Sequence, residues 1–436
     1  MSGVVEVLGD TAVGLRERAS GAEAQRWARR AFVDWLGVTL GATEELPVRS
    51  LLTGLELGEQ GPSRIVGRAE RAPAPLAALV NGSGSHTLEL DDIYAPGLYH
   101  PGAPTIAAAL AVADQRDLDL GRLLRAVAVG FEIGCRVAAD LGPTHYAHWH
   151  TTGTAGALGA AAAAADLTDA DPATVAHALA LAATTCGGVQ QTFRSDAAGK
   201  PLHAGAAAQA GVVAAAAARG GLSGAADVLE GPAGFAAATG TTTEWAHSRS
   251  APGDTLALER ITVKPYQCCG HAFAPVDGAL QLRDRIAGEI DEITVETYGT
   301  AIASAGIAAP VSLAERRFSI PHLVAAALSS ETFDPGIEPD EALRALTRRV
   351  RLVADPGFDA RFPSRRGARV TVRVGSEIHT ADVPDRSGSP EAPLDDARLR
   401  AKFQTASGRG AEEAATLLTL LDAADPTTPV RELDLG

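Results

Sequence analysis

Residues 155–165 and 204–218 consist almost wholly of alanine and glycine, and they constrain the fold more tightly than anything else in the chain. Alanine is the strongest helix former, so both segments predict helices. They are too short, and too poor in leucine and isoleucine, for a membrane span, which takes ~20 apolar residues. A helix with side chains this small fills space only where a neighbour comes close, so both are expected to lie inside, closely packed. Around them, from Ala22 to about Gly221, apolar residues recur at helical spacing in 27–40, 76–90, 120–141 and 174–185, the pattern of a helical domain. Gly153, Gly156 and Gly159 imitate a dinucleotide loop, but no strand precedes them, and small residues so placed serve helix contact.

The texture changes after Pro252. β-Branched residues alternate with polar ones in 258–263, 292–298, 349–353, 369–374 and 378–383, which predicts strands. Helical patterns at 272–285, 321–329 and 340–348 lie between them, 384–393 reads as a turn-rich linker, and 395–423 is helical again. A chain of 436 residues exceeds what one core usually holds. The expected fold is therefore mainly α: an all-helical domain over 1–258, an α+β domain over 259–394, and C-terminal helices over 395–436 that return to the first domain and make the second an insertion.

Charge narrows the partners. With 38 basic and 53 acidic side chains the net charge is -15, which repels phosphate backbones and acidic lipid surfaces, so neither nucleic acid nor membrane is expected as a partner. Only Lys200, Lys264 and Lys402 among the 38 basic residues are lysine. A composition that has turned nearly every cation into arginine marks those three as places where a compact, adjustable ammonium is wanted. The four cysteines, Cys135, Cys186, Cys268 and Cys269, suggest no disulfide framework, and the first residues lack a secretory pattern, so a cytoplasmic protein is expected.

Four constellations could carry chemistry. The first places His86, Glu89, Asp91 and Asp92 ahead of Tyr99 and His100. Crowded carboxyls raise one another's pKa and so prepare a base or acid, although an acidic helix end is more often merely solvated. In the second, His145, His148 and His150 are spaced unlike any zinc signature, and a metal would need Cys268 and Cys269 as further donors; a proton-carrying imidazole fits equally well. The third runs Arg194-Ser-Asp196 to Lys200-Pro201-Leu-His203, where the ammonium could clamp a carboxylate at a helix start. The fourth, Lys264-Pro-Tyr266-Gln-Cys268-Cys269-Gly270-His271, follows a predicted strand. No G-x-S-x-G elbow, Walker loop or H-E-x-x-H motif is present. Acids, imidazoles and a few cations suit removal of a proton beside a carboxylate, with a cation stabilising the charge that develops. The expected ligand is a small anionic carboxylate.

The segments NGSGSHTLELDD (81–92), YHPGAPTIAAALAVAD (99–114), WHTTGTAGALGAAAAAA (149–165), GKPLHAGAAAQAGVVAAAAARGGLSG (199–224), VLEGPAGF (228–235), KPYQCCGHAFAPVDGAL (264–280) and RFSIPHLVAAAL (317–328) resemble, in order, those of the MmgE/PrpD family of 2-methylcitrate dehydratases and cis-aconitate decarboxylases. The resemblance implies a helical domain built from both chain ends, a smaller α+β lid, a homodimer, and a cofactor-independent site in a cleft. It implies catalytic roles for Asp91, Glu89, His100, His150, Lys200 and His271, and substrate contacts from Asp92, His86, Lys264, Tyr266, His203 and His322. Two positions depart from the family pattern: Glu89 stands where aspartate is usual, and His322 where tyrosine is usual. The leading expectation is dehydration of a small hydroxylated polycarboxylate. Decarboxylation of a cis-aconitate-like acid, epimerisation of a dicarboxylate, and an inactive carboxylate binder are the alternatives.

Overall fold

Small side chains decide how near helix axes can come, and the computed structural model, which describes residues 2–194, 197–330 and 332–435, uses them in its interior. The chain divides into two compact units, Met1–Val263 with Asp396–Gly436, and Lys264–Asp395. In the first, the helix Thr151–Asp166 is buried along its whole length. It packs against Leu120–Tyr146, Pro172–Thr185 and Lys200–Arg219, and the last of these also packs against Ala74–Ser85. Gly205 marks a close approach: a Cβ there would collide with the Leu79 carbonyl and the Ser83 hydroxyl of the facing helix. That contact fixes the start of one helix beside the end of the other.

Three local departures from the sequence reading matter. The helix expected over 76–90 stops at Ser85, and His86 begins a turn in which Glu89 takes a left-handed φ of 56°. The strand expected at 258–263 is a short 3-10 turn, Ala257–Arg260. Glu132 accepts the Ala257 N–H at 2.7 Å and Glu259 the Leu256 N–H at 2.8 Å, which hold the start of this turn, and beyond it Thr262 pairs with Ile93 in an isolated bridge. The first unit is also not purely helical, since Ser63–Arg64 pairs antiparallel with Arg71–Ala72.

The C-terminal helix Asp396–Ala406 is part of the first unit and carries Lys402. Its buried ammonium pairs with buried Asp34 at 2.5 Å and donates to the Leu90 carbonyl at 2.8 Å. The turn after His86 is thus held at Leu90 by Lys402 and at Ile93 by Thr262.

The second unit is built on a four-stranded sheet in the order Val350–Ala354, Glu292–Thr297, Ala368–Val374, Glu377–Val383, with the first pair parallel and the others antiparallel. Ile293, Val295, Val370 and Val372 point to one buried face, covered by Phe273, Val276, Leu323 and Val324 from the helices Phe273–Arg283 and Ile320–Ser329. The segment expected as a linker, 384–393, is instead partly interior: Arg386, Ser387 and Ser389 are buried, and Asp277 accepts the Ser387 N–H at 2.8 Å. Serine and proline signal a turn equally well whether it is covered or exposed. Among the described residues, no helix is long and apolar enough to cross a membrane.

Candidate active site

In the first unit, elements from residues 86 to 203 place five imidazole or carboxyl groups in contact. His86 is the C-cap of Ala74–Ser85, His100 precedes the helix Gly102–Arg116, His150 is the N-cap of Thr151–Asp166, and His203 sits in the first turn of Lys200–Arg219. The helix Leu120–Tyr146 breaks at Gly142, whose φ of 58° precedes Pro143, and the chain then reverses toward His150. His150 N–H donates to the Gly188 carbonyl at 2.8 Å, which fixes where its ring projects.

Asp91 lies at the centre. One of its oxygens, Oδ2, is 2.5 Å from His86 Nδ1 and 3.2 Å from His100 Nδ1. Because His86 Nδ1 is hydrogen-bonded to the carboxylate, the neutral His86 ring carries its lone pair on Nε2. The His86 ring lies 5.0 Å from His100 and 5.2 Å from His150 by centroids. His150 and His203 bring their Nδ1 atoms to 3.2 Å, so one ring is protonated at Nδ1 and the other at Nε2. Asp92 turns away, its Oδ1 accepting the Gly102 N–H at 2.9 Å.

Burial sets the protonation. It holds His86 down to about 4 against the pull of Asp91, and it holds His150 well below the usual imidazole range, helped by its neighbours His86, His100 and Lys200. His203 is lowered by burial and by Lys200. Asp92 is pushed well above the carboxylate range, first by burial and then by Asp91. Burial thus disfavours the charged form of these imidazoles and of the Asp92 carboxyl alike.

Lys200 is the first residue of its helix, with Pro201 behind it, as the sequence suggested. It is ion-paired with Glu89, whose side chain is 52% exposed, and its ammonium lies 5.5 Å from the Phe193 ring, which in turn meets His150 edge-on at 4.9 Å. Phe193 carried no signal in the sequence. Ser195 and Asp196, between it and Lys200, lie outside the described residues. The other two histidines of the second constellation go elsewhere: His145 is buried between Thr154 at 2.9 Å and Thr241 at 3.1 Å, and His148 is exposed.

The donor atoms of His86, Asp91 and His100 lie within 4.8 Å of one another, a set that could hold a cation. Ligands around a metal at 2.0–2.2 Å sit about 3 Å or more apart, whereas the 2.5 Å separation of His86 and Asp91 is that of a shared proton.

The remaining candidates belong to the second unit. The Tyr266 hydroxyl donates to Asp277 at 2.8 Å, and the Lys264 side chain is buried. His271 Nδ1 is hydrogen-bonded to the Tyr298 hydroxyl at 2.7 Å; burial, then Arg366 and Arg386, lower that imidazole to about 4. His322 is buried in Ile320–Ser329, where its N–H is capped by Ser319 at 3.2 Å and its Nε2 has no hydrogen-bond partner among the described residues. Arg366 and Arg386 were not singled out in the sequence, since arginine is the chain's ordinary cation.

Comparison with known proteins adds a family. Models of the MmgE/PrpD N-terminal domain and the MmgE/PrpD C-terminal domain match residues 6–248 and 266–424. A cis-aconitate decarboxylase of Aspergillus terreus (strain NIH 2624 / FGSC A1156) is 22% identical over 411 residues, covering 86% of this chain and 84% of the relative. A cis-aconitate decarboxylase-like protein, oryM, of Aspergillus oryzae (strain ATCC 42149 / RIB 40) is 25% identical over 378 residues, covering 79% and 78%.

Proposed function

The chain belongs to the MmgE/PrpD family, and from that premise we propose that it is a lyase acting on a small polycarboxylate through proton transfer at the carbon beside a carboxylate. The observation that carries this reading is the Asp91 oxygen flanked by His86 and His100, with neutral His150 alongside and Lys200 at the edge. Lys200 and His100 receive a substrate carboxylate. His150 and Asp91 are the proton carriers, His86 orients Asp91, and the ammonium stabilises the negative charge that builds on the carboxylate as the proton leaves. Glu89 is half-exposed and already engaged with Lys200, which supports a place at the mouth of the site rather than in proton transfer.

Dehydration is the finer proposal. Unprotonated imidazoles beside Asp91 have lone pairs available for the proton whose removal begins elimination of water. Decarboxylation is the second reading, favoured by the names of the relatives. Incubation with 2-methylcitrate, citrate and cis-aconitate in deuterated water, followed by NMR, separates them. New alkene signals from a hydroxy acid mean dehydration, carbon dioxide release means decarboxylation, and deuterium uptake without net conversion means epimerisation. Silence across the panel refutes the lyase. The homodimer implied by the family likeness belongs to the same proposal, and light scattering in solution tests it.

A further inference from the structure

Lys200 begins its helix, and its flexible four-carbon stem lets the ammonium wander unless something holds it. Among the described residues two groups do so: the Glu89 carboxylate and the Phe193 ring, 5.5 Å from the ammonium. Glu89 is a weak fixture. Its side chain is half-exposed, and ion pairs open to water contribute little. It is also the group that an incoming carboxylate replaces, because both compete for one cation.

Phe193 is fixed from another direction. It lies in the 3-10 turn Gln190–Arg194, and the chain leading into that turn is tied to the segment bearing His150. The His150 N–H donates to the Gly188 carbonyl at 2.8 Å, Val189 pairs with Trp149 in an isolated bridge, and the Gln190 N–H donates to the His148 carbonyl at 2.9 Å. The ring meets the His150 imidazole edge-on at 4.9 Å and the His203 imidazole at 6.4 Å. One aromatic ring thus faces a cation and two imidazoles from an anchorage it shares with His150. An aromatic face attracts an ammonium within about 6 Å of its centroid, and it does so without supplying a counter-charge. The ring therefore does not compete with a substrate oxygen. Where the ammonium sits also matters to His150: burial, then His86, His100 and Lys200, hold that imidazole below its ordinary range.

We propose that Phe193 is a positioning residue for Lys200, its ring keeping the ammonium beside His150 once a carboxylate has displaced Glu89. This rests on the reading of Lys200 as the group that receives a substrate carboxylate, whereas the hold of the ring on the ammonium can be measured apart from it.

The chain has three lysines, of which Lys264 and Lys402 are buried, so the whole protein labelled with carbon-13 at the lysine Cε yields three NMR signals, and Lys200→Arg identifies the one from Lys200. A group above an aromatic face resonates upfield of its free position. The Lys200 signal is expected upfield in wild type and in Phe193→Tyr, and at the position of an exposed lysine in Phe193→Leu, with the Lys264 and Lys402 signals unmoved as the check that the fold is kept. Tricarballylate is expected to leave the Lys200 signal upfield in wild type and to bind Phe193→Leu about two- to thirtyfold more weakly, the worth of one cation–ring contact. The proposal is overturned if the wild-type signal lies at the exposed position, if Phe193→Leu keeps the upfield shift, if tricarballylate abolishes that shift in wild type, or if Phe193→Leu binds tricarballylate as tightly as wild type. An upfield signal in a wild type that binds no tricarballylate supports the hold of the ring on the ammonium and overturns instead the reading of Lys200 as carboxylate receiver.

Discussion

Replacing Lys402 with methionine should separate stability from catalysis. The ammonium and Asp34 are each 4% exposed and 2.5 Å apart, so Lys402→Met leaves a carboxylate buried without its counter-ion. Breaking a buried pair in this way costs about 3–5 kcal/mol, and in a unit this large each kcal/mol lowers Tm by about 2 °C, so a fall of roughly 6–10 °C is expected. Adding Asp34→Asn removes the stranded charge with a side chain of the same shape, and most of that loss should return, leaving the double variant within about 3 °C of wild type. Catalysis should not return with it. In both variants the Leu90 carbonyl has lost its donor, one residue from Asp91, and a shift of ~1 Å in a catalytic group costs up to about a hundredfold in rate. Differential scanning fluorimetry and initial rates on the substrate identified by NMR would be run on all three proteins. A single variant that melts within 2 °C of wild type, or a double variant with wild-type kcat, would refute the reasoning.

Three further outcomes follow from the same geometry. Lys200→Ala should remove any turnover to below about a hundredth of wild type, since losing a charged contact to substrate costs several kcal/mol; a loss within threefold would mean it does not clamp the substrate. His145 is held to about 4 by burial, below the ordinary unfolded value near 6.5, so the unfolded chain takes up its proton first as pH falls. The stability it contributes is complete above about pH 6.5 and is lost as pH falls through about 4, so His145→Gln should flatten the drop in Tm between pH 7 and pH 4, and a parallel drop would count against this account. Gly205→Ala drives a methyl into Leu79 and Ser83, an overpacking cost of about 1–3 kcal/mol that calorimetry should register as a lower Tm.

What could be read from the sequence was what depends on near neighbours. Alanine-rich stretches can hardly be other than close-packed helix, and Lys200 stood out because so few lysines remain. The readings that failed were those in which a distant residue decides. The alternation at 258–263 is that of a strand, but Glu132, far back in the chain, accepts the Ala257 N–H and anchors a 3-10 turn there. Likewise 384–393 has a linker's composition, and only Asp277 reaching across to Ser387 reveals that it is covered. Phe193 gave no local sign because the His150 ring it meets comes from a remote segment. Of three histidines close together in sequence, only His150 meets one of Asp91's partners, His86.

The pairing of Lys200 with Glu89 has a consequence for selectivity. A tethered rival is present at high local concentration and never diffuses away, so any acid that is to dock on that ammonium must evict it. Acetate-like monoanions, with one weak handhold, lose the contest. On the function proposed above, guests bearing a second anionic arm prevail, and Glu89 sorts visiting acids by valence.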